Sequence, residues 1–248
     1  MRLASSVAVL MFLATARTAA AQSSDFAAYT ALIHTPIGLF IPVVPRSQLG
    51  LPSDGAAFGV QYGRHAAGDV NNKAQAYAVT IYGGGERSTL SFTGGAYKET
   101  CPDPECKNVL MAGVGAQTRL VETTLSGKER FGVDLAGNVG YGAKQFSTTY
   151  IAAQIGLPVT LSNEAAKGGG MQIALWAAPG FAYGDARLNA TSIEGTPFSD
   201  KRSGTCPTAA AGIAFYNPPE NISLQLGLTK AFADQSKPVL GVNLILHW

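Results

Sequence analysis

The stretch Phe131-Gly132-Val133-Asp134-Leu135-Ala136-Gly137-Asn138-Val139-Gly140-Tyr141 alternates along its whole length. Its odd positions read Phe, Val, Leu, Gly, Val and Tyr, and its even positions Gly, Asp, Ala, Asn and Gly. Successive side chains of a strand point to opposite faces, so this period of two predicts a long β-strand. Residues 110–120, 151–161, 171–181, 222–229 and 239–248 repeat the pattern, and 58–64, 76–82, 90–97 and 208–216 carry shorter versions of it.

What stands on the polar side of these segments decides the class. A soluble sandwich wets one face of each strand with charges and buries the other. Here the polar positions hold Gln, Asn, Thr and Ser with much Gly and Ala, and few charges. The segments also exceed the usual strand of about five or six residues and match the roughly 9–11 of a tilted membrane-crossing strand. Hydrocarbon leaves no unpaired edge tolerable, so such a sheet must close. The expected fold is all-β: a closed antiparallel up-and-down transmembrane barrel of about ten strands, the same pattern admitting eight to twelve.

Composition agrees. Of 248 residues 46% are hydrophobic, only 14% are charged and 29 are glycine. Ordinary domains carry about 25% charge and 7% glycine. Intrinsic disorder is excluded by the apolar content, and a nucleic-acid partner by a formal charge of +2 with no basic cluster. Residues 1–21 read as a secretory signal peptide: Arg2, an apolar run from Val7 to Ala14, and Ala19-Ala20-Ala21 as the cleavage site before Gln22. No later stretch reaches the roughly 18 apolar residues of a spanning helix. Residues 22–56, with the proline-bounded apolar run Pro36 to Pro45, form either a periplasmic lead or a plug within the barrel, and 57–248 form the barrel.

The links add an orientation. The long ones, Ala66 to Lys73, Glu99 to Lys107 and Asp185 to Cys206, all follow odd-numbered strands counted from Ala57. An up-and-down meander puts them on one side, as long outer loops opposite short periplasmic turns. Tyr82, Tyr97, Tyr141, Tyr150, Tyr183, Tyr216, Phe232 and Trp248 fall near strand ends, where rings form boundary girdles.

Leu240, Val242, Leu244, Leu246 and Trp248 are apolar at every second position of the final segment, which ends on an aromatic. This resembles the C-terminal signature of bacterial outer-membrane β-barrel proteins. Those usually end in Phe, so Trp248 departs slightly from the pattern. The resemblance implies the bacterial outer membrane as the location, its lipid as the surroundings, and recognition of this strand by the barrel-assembly machinery. Enzymatic barrels such as the phospholipases and lipid A deacylases carry a His two residues before a Ser; none of His34, His65 and His247 does.

The remaining chemistry is spare. Gln61, Gln117, Arg119, Asp134, Asn138, Gln154, Gln172, Gln225 and Asn243 are the polar groups expected to face the lumen, with Arg119 and Asp134 on adjacent strands. They either bond one another across a filled interior or line a narrow aqueous path. Cys101 and Cys106 bracket two prolines and are a candidate disulfide, adding about 2 kcal/mol if formed. Pairing of Cys106 with Cys206 is the rival arrangement. No catalytic constellation, phosphate loop, cofactor motif or metal-ligand spacing is present in the sequence. The expected role is a non-enzymatic envelope barrel, structural or surface-interacting, with at most a narrow pore. A porin-like passive channel for small or hydrophobic solutes, and a soluble secreted β-sandwich binding protein, are the alternatives.

Overall fold

A computed structural model of the chain describes residues 24–36, 55–67, 72–85, 87–100, 108–125, 129–144, 148–163, 170–191, 197–233 and 236–248. One helix, α1 (Ser24–Ile33), precedes the strands β1 (Gly55–Ala67), β2 (Asn72–Gly84), β3 (Ser88–Thr100), β4 (Val109–Thr124), β5 (Glu129–Lys144) and β6 (Thr148–Gly156). β7 (Val159–Asn163), β8 (Gln172–Thr191), β9 (Pro197–Asn217), β10 (Ile222–Ala231) and β11 (Val239–His247) follow. Every strand pairs antiparallel with the strands before and after it, except that β6 and β7 each pair with β5 and β8 and not with one another, and β1 pairs with β11, from Ala57↔His247 to His65↔Val239. The sheet is closed. The rim bonds Ala56 N–H to Trp248 O at 3.1 Å and Trp248 N–H to Ala56 O at 3.0 Å lock the seam at the end where both strands meet.

β6 and β7 together form one stave, so eleven segments make a ten-stranded barrel. The break falls at Leu157-Pro158, opposite Ala178-Pro179 of β8. Neither proline has an N–H to give a ladder, and two of them at one level interrupt it. Pro158 O still accepts from Asp134 N and Pro179 O from Leu157 N, at 2.8 and 2.9 Å. This continuous closed sheet removes the soluble-sandwich alternative.

Alternation separates the two surfaces as the sequence requires. Outside stand Val60, Val79, Phe92, Leu110, Val139, Leu175, Leu228 and Leu240; Phe92 and Leu110 are 61% and 68% exposed. Apolar area on this scale around a whole barrel far exceeds the few hundred Å² tolerated on a soluble monomer. Inside, alanine, glycine, threonine and amide side chains crowd together.

Two expectations need correction. The link from Asp185 to Cys206, expected as a long outer loop, is mostly strand: β8 and β9 are 20 and 21 residues long and stay paired to Thr191↔Pro197. Beyond the apolar band both faces are wetted, so the hydrophobic alternation disappears from the sequence while the ladder continues. The tyrosines also divide. Tyr141, Tyr183, Phe232 and Trp248 face outward, but Tyr82, Tyr97, Tyr150 and Tyr216 are buried inside. Tyr82 shares strand parity with Ala78 and Thr80, not with the outward Val79 and Ile81. Residues 1–21 and the pair Cys101 and Cys106 lie outside the described residues.

The extended hairpin is pinned by Asp185, which accepts from Arg187 Nε at 2.7 Å and lies 3.2 Å from Lys201 Nζ. Burial raises this carboxyl, but hydrogen bonds from Arg187 and Lys201, and their charge, outweigh it and hold the group below its ordinary value. Its contribution is therefore present above the ordinary carboxylate range and lost as pH falls through the lowered folded value. Arg187 and Lys201 are about half exposed, which limits the pair to under about 1 kcal/mol. Asp185→Asn should speed amide exchange across 185–203 a few-fold at neutral pH, with wild type approaching it only in strong acid. Unchanged exchange in the variant would contradict this role.

Candidate functional site in the barrel lumen

α1 has apolar residues around its circumference: Ala28, Tyr29, Ala31 and Leu32 are all buried. A helix of that kind is stable only when enclosed. It packs against β6, β8 and β9, and its cluster takes in inward residues of eight strand segments, among them Ala78, Tyr97, Met111, Tyr150, Ala182, Cys206, Ala231 and Val239. Residues from opposite walls of a closed barrel meet in one cluster only across the lumen, so α1 lies inside it.

Glycine permits the approach. A Cβ on Gly184 would stand 2.7 Å from both Ala28 Cα and Ala31 Cβ, and one on Gly142 would collide with His34 O. The helix ends at Ile33, and His34 N–H and Thr35 N–H bond to the Thr30 and Leu32 carbonyls at 3.3 Å before Pro36. His34 stacks on Tyr150 with centroids 4.3 Å apart and tilts against Tyr97 at 4.7 Å. Its Nδ1 is 2.7 Å from Thr30 O; a carbonyl only accepts, so Nδ1 carries the proton. Tyr29 Oη accepts from Lys237 N–H at 3.4 Å, tying α1 to the link between β10 and β11. That link lies at the rim away from the β1–β11 termini, so α1 fills the far half of the lumen.

Nearer the termini the interior is polar. Gln61 Nε2 and Asn243 Nδ2 both donate to Tyr82 Oη, at 3.0 and 3.1 Å. Gln154 Nε2 donates to Thr208 Oγ1 at 2.9 Å, and Ser223 Oγ bonds His247 Nε2 at 2.8 Å. Ser223 and His247 are both buried. Gln172 and Gln225 are buried as well, each with amide atoms that find no protein partner, as does Asn138 Nδ2. Such groups cost about 1–3 kcal/mol each if left dry, so this half of the lumen favours water over apolar filling. Beneath Pro36 a cavity of about 50 Å³, lined by Gln61, Thr80, Tyr82, Thr93, Gln117 and Asn138, has room for a few waters.

Arg119 and Asp134 are register partners and form an ion pair through Arg119 Nε. Gln117 Nε2 donates to the same carboxylate at 3.1 Å, and Arg119 Nη1 reaches Glu122 Oε2 at 2.7 Å. A bulge between Arg119 and Val121 keeps both Arg119 and Glu122 on the inner face. Side-chain exposure is 6% for Arg119 and 0% for Asp134.

All nine polar residues expected in the lumen thus point inward, but not as one path. Gln61 and Asn243 meet at Tyr82, Gln117, Arg119 and Asp134 form a second group, and Gln154 pairs separately with Thr208. The sequence offered residues 22–56 as a lead or a plug without indicating a helix, and read Tyr82, Tyr97, Tyr150 and Tyr216 as girdle residues. Parity was the available signal for the aromatics.

By architecture this is a closed, antiparallel, up-and-down barrel of ten staves. No protein-family model and no curated protein matches the sequence. Among solved structures it is similar to Ail, the attachment invasion locus protein of Yersinia pestis, at 16% identity over 78% of this chain and 96% of that one, with a TM-score of 0.30. It is also similar to the beta domain of the Bordetella autotransporter BrkA, at 8% identity over 79% and 99% with a TM-score of 0.36. The monoaromatic hydrocarbon channel CymD follows at 11% over 86% and 72%, with a TM-score of 0.29. At such values the fold stands on this chain's own strand pairing.

Removing one partner of a buried ion pair costs about 3–5 kcal/mol, because the other charge is stranded. Arg119→Ala should therefore lower the urea midpoint of the folded barrel strongly, and Arg119→Ala with Asp134→Ala should recover part of the loss. Additive losses in the double variant would show that the two groups act independently.

Proposed function

We propose that this chain is a non-enzymatic outer-membrane barrel protein, closed to passive flow by its own N-terminal helix and acting structurally or at the surface. Residues 1–21 direct export and are removed near Ala21. The strand from Leu240 through Val242, Leu244 and Leu246 to Trp248 engages the barrel-assembly machinery, and outer-membrane lipid surrounds the apolar band. The rim bearing both ends of the barrel sequence faces the periplasm, as the resemblance of the last strand implies. Cys101 and Cys106 form a disulfide on the outer side.

The observation that carries this reading is the burial of α1 in a cluster with eight strand segments. Tyr29, Leu32 and the Ala28–Gly184 contact leave the far half of the lumen packed and apolar. An ion entering there would lose its hydration without replacement, a cost far above thermal energy. The polar half, with Gln172, Gln225 and Asn138, favours a second reading: a passive channel for a small solute, opened when α1 moves.

Planar-bilayer recording separates the two. The intact chain should be silent. Ala31→Glu strands a carboxylate in the packed cluster, and Gly184→Val drives a branched side chain into Ala28, so both should release α1 and give discrete conductance steps. Heat-dependent gel mobility confirms that each barrel is folded. Salt-dependent steps from the intact chain would overturn the closed-barrel reading in favour of the channel.

A further inference from the structure

The outward face carries a patch that neither lumen nor seam explains. Arg64 of β1, Gln75 of β2 and Lys98 of β3 stand in one cross-strand row, through the pairings Arg64↔Gln75 and Gln75↔Lys98. All three share the parity of the lipid-facing residues below them: Tyr62 and Val60, Tyr77 and Val79, Ala96 and Phe92. The row lies toward the rim opposite the termini, at the upper edge of the apolar band. Arg64 and Lys98 are exposed, and neither has an ion-pair partner among the described residues. The described carboxylate side chains stand elsewhere: Asp185 and Asp200 on β8 and β9, Glu122, Glu129, Asp134 and Glu220 toward the other rim.

The cations flank a prepared centre. Two strand spacings separate Arg64 from Lys98, about 10 Å between backbones, so both long side chains can reach one group seated over Gln75. Tyr77 Oη donates to Gln75 Oε1 at 2.7 Å, which holds the amide upright and turns its NH₂ donors away from the tyrosine. Tyr62 packs on Tyr77 with centroids 5.3 Å apart, fixing the ring beneath. Directly below, Val60, Val79 and Phe92 are exposed, and Gly94 leaves open space between them. The patch therefore offers two positive charges and amide donors above, a tyrosine pair at the boundary, and an apolar wall beneath.

We propose that this row binds the phosphate-bearing headgroup of an outer-leaflet lipid, with an acyl chain lying against Val79 and Phe92. The inference rests on the outer-membrane reading above. Charge complementarity selects an anionic headgroup: guanidinium and ammonium match phosphate, and the apolar wall below requires that the phosphate be attached to a chain. A free anion would use only the upper half of the site, and a protein partner would have to compete with lipid along the whole wall.

The test is native mass spectrometry of the full detergent-folded chain with diphosphorylated lipid A as the probe. One tightly held equivalent is expected, with millimolar inorganic phosphate failing to displace it. Arg64→Glu with Lys98→Glu should weaken binding about tenfold or more. Lys201→Glu, on the far hairpin, should leave it unchanged. Equal binding by wild type and the Arg64/Lys98 variant would overturn the site, as would full competition by inorganic phosphate. Heat-dependent gel mobility of the same samples keeps the failures apart. A folded barrel with undiminished lipid binding in the variant loses only this site, whereas loss of the mobility shift in wild type removes the membrane reading itself.

Discussion

The hydrogen bonds between β1 and β11 are the interaction on which the rest of the molecule depends. In hydrocarbon an edge strand has nothing to pair with, and each orphaned N–H or carbonyl costs several kcal/mol. The first and last strands must find one another, nearly two hundred residues apart in sequence, before any part of the wall is stable. That requirement fixes an even number of staves and places both ends of the barrel sequence at one rim. It also explains why the stave made of β6 and β7 survives Pro158 and Pro179: backbone atoms freed by the break are taken up by Asp134 N and Leu157 N.

Closure creates a second problem, an interior to fill. Ten strands enclose more space than side chains of ordinary size occupy. The far half is filled by α1, whose approach depends on the absence of side chains at Gly184 and Gly142. The near half is filled by amides, hydroxyls and one buried ion pair, and it leaves several amide atoms without a protein partner. The same constraint, that no buried polar group be left alone, separates an apolar packing at one level from a polar one below it.

The wall was legible because its physics is periodic. Wherever one face meets lipid and the other a crowded lumen, alternation is forced, and residues such as Gln61, Asp134 and Asn243 could be assigned to the inside from parity alone. Three things were not legible. The outer halves of β8 and β9 meet water on both faces, so their pairing leaves no hydrophobic trace. The inward tyrosines look like girdle residues by type, and only their parity with Thr80 or Ala152 distinguishes them. The helix is ten residues of mixed apolar sequence whose stability comes from the barrel around it, so nothing local announces that Ala28 and Ala31 are the face against Gly184. Sequence identified the polar lumen residues singly; their division into groups around Tyr82 and Asp134 follows from register, which a one-residue slip would have changed.

The most direct test of a closed membrane barrel is the electrophoretic mobility of the detergent-folded protein in SDS, unboiled against boiled. A sheet sealed along β1 and β11 resists SDS at room temperature and unfolds on heating, so the unboiled sample should migrate at a different apparent size. Identical mobility of the two samples, with solubility in the absence of detergent, would contradict the account.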